Sequence, residues 1–172
     1  MKLERVFAKP LLGSLDGHRD GLTCLAKHPS SLSSIATAAA DGEVRVWNLT
    51  ERTCLAAWQA HEGVVRGVSY VPGGKHILSC GDDKTIKLWD AAVWSDVPVD
   101  TIVSKQMVTG LSHAAKSEQF ATCGEATQLW SRGRSVPTRT FQWGVDSVHH
   151  IKFSPVEVHL LGAAASDRSI IL

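Results

Sequence analysis

Residues 80–90 read CGDDKTIKLWD, and residues 39–48 read AADGEVRVWN. Each places a carboxylate in a short polar turn, follows it with apolar residues at a period of two, and closes on tryptophan. Small apolar residues, a turn, then an alternating run mark two antiparallel strands joined tightly. The closing tryptophan returns as Trp130 in CGEATQLWS (123–131), so Trp47, Trp89 and Trp130 are 42 and 41 residues apart. Asp41 and Asp83 are 42 apart, Asp83 and Asp167 are 84 apart, and His18 and His61 are 43 apart. The same residue types at one period indicate a single supersecondary unit used repeatedly.

Within a period the chain divides into four short β-rich runs. The second unit offers VVRGVSY (64–70), HILSC (76–80), TIKLW (85–89) and VDTIV (99–103); the first offers LTCLA, SIATA, EVRVW and TCLAAW in the same order. A helical period of 3.6 is weak throughout, so the reading is all-β. Four antiparallel strands per 40–45 residues describe a β-propeller blade. The pairs GH (17–18) with WN (47–48), and AH (60–61) with WD (89–90), resemble the start and finish of WD repeats. Units are expected at about 16–58, 59–103, 104–142 and 143–172, after a lead-in over 1–10. Counting LLGSL (11–15) as an outer strand gives about sixteen strands. The offset of six residues from Asp167 puts the next aromatic one place after Leu172, which favours an open arc of a seven-bladed propeller. A ring of four blades closed by LLGSL is the alternative.

The resemblance to WD repeats implies a hydrogen-bonded set in each blade: His18, Thr37, Asp41 and Trp47 in the first, His61, Ser79, Asp83 and Trp89 in the second. In both, the hydroxyl stands ten residues before the tryptophan and the aspartate six before it. The third unit keeps Thr122 and Trp130 but has no aspartate at that offset, and His113 is a candidate for the missing partner. Asp167 marks the fourth. His18 with Asp41, or His61 with Asp83, could be read as catalytic dyads, but repetition at one period argues for a structural role, since such a set is stable only when every buried polar member is paired.

Length and composition bound the rest. A chain of 172 residues with 44% hydrophobic residues builds one sizeable core. Its net charge of +1, from 18 Lys and Arg against 17 Asp and Glu, gives no global pull toward nucleic acid or membrane. The opening residues lack the apolar core of a signal peptide, no apolar run is long enough for a membrane helix, and an intracellular protein is expected. Cys24, Cys54, Cys80 and Cys123 are far apart, without zinc-ligand spacing, and are expected to be reduced packing residues. No GxSxG, HExxH or phosphate-cradling loop is present, so neither enzymatic activity nor a cofactor or metal is expected. The sequon NLT (48–50) is expected to be silent.

Binding is therefore expected from loops on a rigid frame. The resemblance to WD repeats implies that the face carrying the turns before the network aspartates binds partners, which implicates Ala40, Asp82 and Ser166, with Arg19 and Glu62 beside the histidines. In RGRSVPTR (132–139), Arg132, Arg134 and Arg139 are candidate RNA or phosphate contacts, because guanidinium groups match phosphate geometry.

A narrower resemblance is carried by KLERVFAKPLLGSLDGHRDGLTCLAKHP (2–29), AHEGVVRG (60–67), GDDKT (81–85), FATCG (120–124), WGVDSVHHIKFSPVE and ASDRSI. These blocks resemble the WD-repeat family of the small-subunit processome with a SOF-type C-terminal extension, also described as damage-binding-adaptor and cullin-4-associated factors. The resemblance implies an N-terminal part of a nuclear, nucleolar scaffold for early 18S ribosomal RNA processing. Its partners would be other processome proteins, box C/D small nucleolar ribonucleoprotein and pre-rRNA. The other implied role is substrate receptor of a cullin-4 ubiquitin ligase. Adaptor-binding repeats typically carry Arg three residues after the blade tryptophan; here those positions hold Thr50, Ala92 and Gly133.

Overall fold

The computed structural model describes residues 13–93, 95–157 and 159–172. Fifteen strands and no helix make up these residues, arranged as four antiparallel sheets. The first sheet runs β1 (Leu22–Lys27), β2 (Ser34–Ala39), β3 (Glu43–Asn48), β4 (Thr53–Gln59) in chain order. The second runs β5 (Val65–Tyr70), β6 (His76–Gly81), β7 (Thr85–Asp90), β8 (Asp100–Val103). The third is β9 (Gly110–His113), β10 (Gln119–Cys123), β11 (Thr127–Ser131), β12 (Arg139–Phe141), and the fourth is β13 (Val148–Phe153), β14 (Leu161–Ala165), β15 (Ile170–Ile171). This is a four-blade β-propeller-like arrangement.

Repetition in sequence becomes repetition in backbone geometry. A bulge falls at the same point of three inner strands, between Leu22 and Cys24, Val65 and Gly67, and Val148 and His150. Bulges there raise the local twist that lets successive sheets fan around an axis. The residue after each network aspartate has positive φ: Gly42 at 85°, Lys84 at 61° and Arg168 at 71°. Glycine is required only at the first, where a Cβ would run into the His61 carbonyl and lie 3.0 Å from that of Gly63.

The inner strands pack in succession, β1 on β5, β5 on β9 and β9 on β13. Side chains fasten the joints: the Thr23 hydroxyl donates to Val65 O at 2.6 Å, the Thr109 hydroxyl to Val148 O at 2.6 Å, and Phe153 N–H to Ser112 Oγ at 3.1 Å. The core is correspondingly layered between sheets. Val44, Val46 and Trp58 meet Val65, Ile77 and Trp89; Leu78, Ile86 and Ile102 meet Val108, Phe120 and Trp130; Ala121 and Cys123 meet Val148, Ile151 and Ala163. Burying each large apolar side chain contributes about 1.5–3 kcal/mol, so the layers carry most of the stabilisation.

Some sequence expectations shift. Residues 13–15 of the expected outer strand LLGSL are not in a strand, and 11–12, like the lead-in 1–10, lie outside the described residues. The described strands therefore number fifteen, with three in the fourth sheet. All four cysteines are free, but Cys54 is exposed on outer strand β4 and is not a packing residue, because an outer strand has no neighbour beyond it. No helix among the described residues is long and apolar enough to cross a membrane.

Candidate functional site

The second blade holds a closed hydrogen-bond chain. Trp89 Nε1–H can only donate, and it donates to Ser79 Oγ at 2.9 Å. Ser79 then directs its own proton to His61 Nε2, 2.7 Å away, so the His61 proton sits on Nδ1 and points to the Asp83 carboxylate at 2.9 Å. Asp83 also accepts from the Thr85 hydroxyl at 2.7 Å and the Thr85 amide at 3.0 Å. Burial pushes His61 below its ordinary pKa despite the pull of Asp83. The contact is thus a neutral N–H donating to a carboxylate, not an ion pair. Burial pushes Asp83 up, but the Thr85 hydroxyl, His61 and the Thr85 amide outweigh it and leave the carboxyl below its usual range.

The first blade begins the same way and ends differently. Trp47 Nε1–H donates to Thr37 Oγ1 at 2.7 Å, and Thr37 Oγ1 is 2.8 Å from His18 Nε2. Nδ1 of His18, however, stands 3.9 Å from Asp41 and 3.8 Å from Glu43, beyond hydrogen-bond reach. Asp41 instead accepts from the backbone N–H groups of Glu43 at 2.9 Å and Arg19 at 3.1 Å. Arg45 clamps Glu43 through Nε at 2.9 Å and Nη2 at 3.3 Å. Burial lowers the His18 pKa, with Asp41 and Glu43 opposing and Arg45 assisting.

In the third blade Trp130 Nε1–H donates to Thr122 Oγ1 at 2.9 Å. His113 is not the missing partner: its Nδ1 lies 2.8 Å from Ala114 O and its ring stacks beside Phe120. The position of the blade histidine belongs to Gln106, four residues before β9 as His18 and His61 are four before β1 and β5. Gln106 donates from Nε2 to Ala126 O at 2.7 Å and accepts from Ala126 N–H at 3.1 Å, a side-chain clamp replacing the His–Asp pair. Counting back from the inner strand, rather than searching for histidine, would have found it.

Asp167 of the fourth blade is corrected from network member to turn residue. It is exposed, and its carboxylate accepts from the Ser169 hydroxyl at 2.6 Å and the Ser169 amide at 2.9 Å. The hydroxyl position four residues before it holds buried Ala163, which cannot extend a chain.

The five candidate face residues gather at one end of the sheets. The amide of Ala40 donates to Gly21 O, that of Asp82 to Val64 O and that of Ser166 to Ser147 O, each just before an inner strand. Arg19 and Glu62 are exposed beside the same turns. Asp82 is held by Arg66 through two bonds of 2.7 and 2.8 Å. A polar cavity of about 590 Å³, lined by Arg19, Asp41, Glu43, Trp58, Gln59 and Asp96, opens at the first blade. Gln59 bridges the first two blades by donating to Asp41 O at 2.8 Å and His61 O at 2.9 Å.

The three candidate arginines are only partly a loop. Arg132 pairs with Glu118 at 3.1 Å, Arg134 lies in the turn after β11, and Arg139 opens β12. All three are exposed, with Gly133 between the first two at a φ of 78°.

This geometry agrees with comparison to known proteins. The WD domain, G-beta repeat family profile matches residues 9–48 and 52–90. Over 175 residues, 99% of its length, the chain is 50% identical to the DDB1- and CUL4-associated factor 13 of Gallus gallus and of Homo sapiens. It is 42% identical over 176 residues to the protein of that name in Dictyostelium discoideum. The chain spans 39% of the length of the Gallus and Homo relatives and 40% of the Dictyostelium one. Blade networks, sheet order and these identities together identify a chain that carries WD40 repeats and is homologous, over nearly its whole length, to proteins named DDB1- and CUL4-associated factor 13.

Proposed function

We propose that the chain is part of a non-catalytic docking scaffold for early 18S ribosomal RNA maturation in the nucleolus, within the small-subunit processome. One observation supports a binding role above others. The His61, Asp83, Ser79 and Trp89 groups that could do chemistry are engaged with one another, while Arg19, Glu62, Asp82 and Ser166 present polar atoms on turns at one end. Loops on such a frame bind partners without moving the frame. The exposed Arg134 and Arg139 add a phosphate-compatible patch. The resemblance to processome WD-repeat proteins directs this binding role to pre-ribosomal particles.

Depletion of the full-length protein, followed by rescue, tests the proposal. Wild-type protein should restore 18S precursor processing, and a variant carrying Arg19→Glu and Glu62→Lys should restore it poorly while accumulating to the same level. Normal 18S processing after depletion overturns it.

A second reading is favoured by the printed name of the relatives, which associates them with DDB1 and CUL4. In this reading the scaffold presents substrates to a cullin-4 ligase. The offset adaptor arginine is replaced here by Thr50, Ala92 and Gly133, so adaptor contact would run through other residues. Retrieval of DDB1 and CUL4 by the full-length protein, with the pre-ribosomal particles absent, would select this reading over the first.

A further inference from the structure

The first blade differs from the second at one decisive place. Two residues after the network aspartate, the second blade has Thr85, which closes the chain; the first has Glu43, which adds a second carboxylate. The histidine responds by standing off. His61 Nδ1 is 2.9 Å from Asp83, whereas His18 Nδ1 is 3.9 Å from Asp41 and 3.8 Å from Glu43. The His18 side chain is only 7% exposed, and its Nδ1 has no hydrogen-bond partner. An unpaired buried nitrogen facing two carboxylates calls for something between them.

We propose that His18, Asp41 and Glu43 form a binding site for a divalent first-row transition cation, of the class to which Zn²⁺ belongs. One donor atom from each residue lies within 4.8 Å of the others. Ligands at about 2.0–2.2 Å around a tetrahedral ion sit about 3.4 Å apart, so gaps of 3.8 and 3.9 Å need to contract by only a few tenths of an ångström. An imidazole nitrogen with two carboxylate oxygens is a donor set that suits this class of ion, and water from the adjoining cavity completes the shell. That cavity, about 590 Å³ and lined by both carboxylates, also provides the entry path.

The surroundings have the features of a metal site's outer layer. His18 Nε2 meets Thr37 Oγ1 at 2.8 Å, which fixes the ring with Nδ1 turned toward the carboxylates; the hydroxyl, with two lone pairs, accepts from both His18 and Trp47. Backbone amides orient Asp41, and Arg45 holds Glu43. The Arg45 charge also opposes the cation, so binding is weaker than at a closed structural zinc site.

The test is Zn²⁺ titration of the full chain against a chromogenic chelator, with Co²⁺ absorption as a second readout. Glu43→Thr gives the first blade the donor set of the second; Glu43→Gln keeps the shape and removes the charge. The wild type should hold one Zn²⁺ more per chain than Glu43→Thr, and Glu43→Gln should bind at that site at least tenfold more weakly. Zn²⁺ at a fixed concentration should raise the melting temperature of the wild type more than that of Glu43→Gln and leave that of Glu43→Thr unchanged, which excludes exposed Cys54 and the exposed histidines as the source. Equal Zn²⁺ stoichiometry and affinity in the wild type and Glu43→Gln, or no binding by the wild type, overturns the proposal.

Discussion

Ser79 is the smallest member of the second-blade chain and the one on which it turns, because it accepts from Trp89 and donates to His61. Ser79→Ala leaves Trp89 Nε1 and His61 Nε2 unpaired in a fully buried site, and at about 1–3 kcal/mol per orphaned group the expected loss is about 2–6 kcal/mol, read as a lower urea midpoint at unchanged slope. Protonation of His61 disrupts the same chain. Its folded pKa lies below the ordinary value of about 6.5, so the unfolded chain takes up the proton first. The stability it contributes is full above about pH 6.5 and is lost as pH falls from there through the lower folded value. The urea midpoint should therefore drop between pH 7.5 and pH 5.5, and less steeply in His61→Gln; His18 and His113, also lowered by burial, supply the remaining slope. At this scale the His, Ser and Trp positions were legible because they recur with the same chemistry. Gln106 was not, since it fills the histidine position by clamping backbone atoms instead of joining a chain. Nor was the role of Glu43, which differs from Thr85 in a way that spacing does not register.

Among elements, the turn between the second and third strands of the first, second and fourth sheets carries a shared constraint. Gly42, Lys84 and Arg168 share a left-handed backbone, which costs roughly 1–2 kcal/mol for a residue bearing a Cβ. Gly42→Ala adds that cost and presses on the His61 carbonyl, so a loss of about 1–3 kcal/mol is expected by calorimetry, concentrated at the joint between the first two sheets. The central strands of each sheet were readable from alternation, because both of their edges are paired and their faces buried. Outer strands were not. β12 covers only Arg139–Phe141, and LLGSL yields no strand in its described part, because one free edge leaves little to fix where pairing begins.

Across the molecule, each sheet packs mainly on its neighbours in the chain, so stability should be graded along the series as in other repeat architectures. β6 and β10 are flanked by strands and by sheets, whereas β15 is a two-residue edge with Ile170 78% exposed. Hydrogen exchange by mass spectrometry should find the slowest amides in β6 and β10 and the fastest strand amides in β15. Uniform protection across all four sheets would contradict a graded assembly. The repeat itself was legible at this scale because period and residue type agree; how each blade departs from the others was not, since those departures come from single substitutions whose effect depends on three-dimensional neighbours.

The buried tryptophans that close the first three blades have one more consequence. Trp47, Trp89 and Trp130 each donate an indole proton to a hydroxyl at 2.7, 2.9 and 2.9 Å, in three different sheets. Each of these sheets therefore contains its own fluorophore in a fixed dipolar setting. Variants that retain only one of them, with the chain's other three tryptophans also replaced, would let the melting of each blade be followed optically, without an added label.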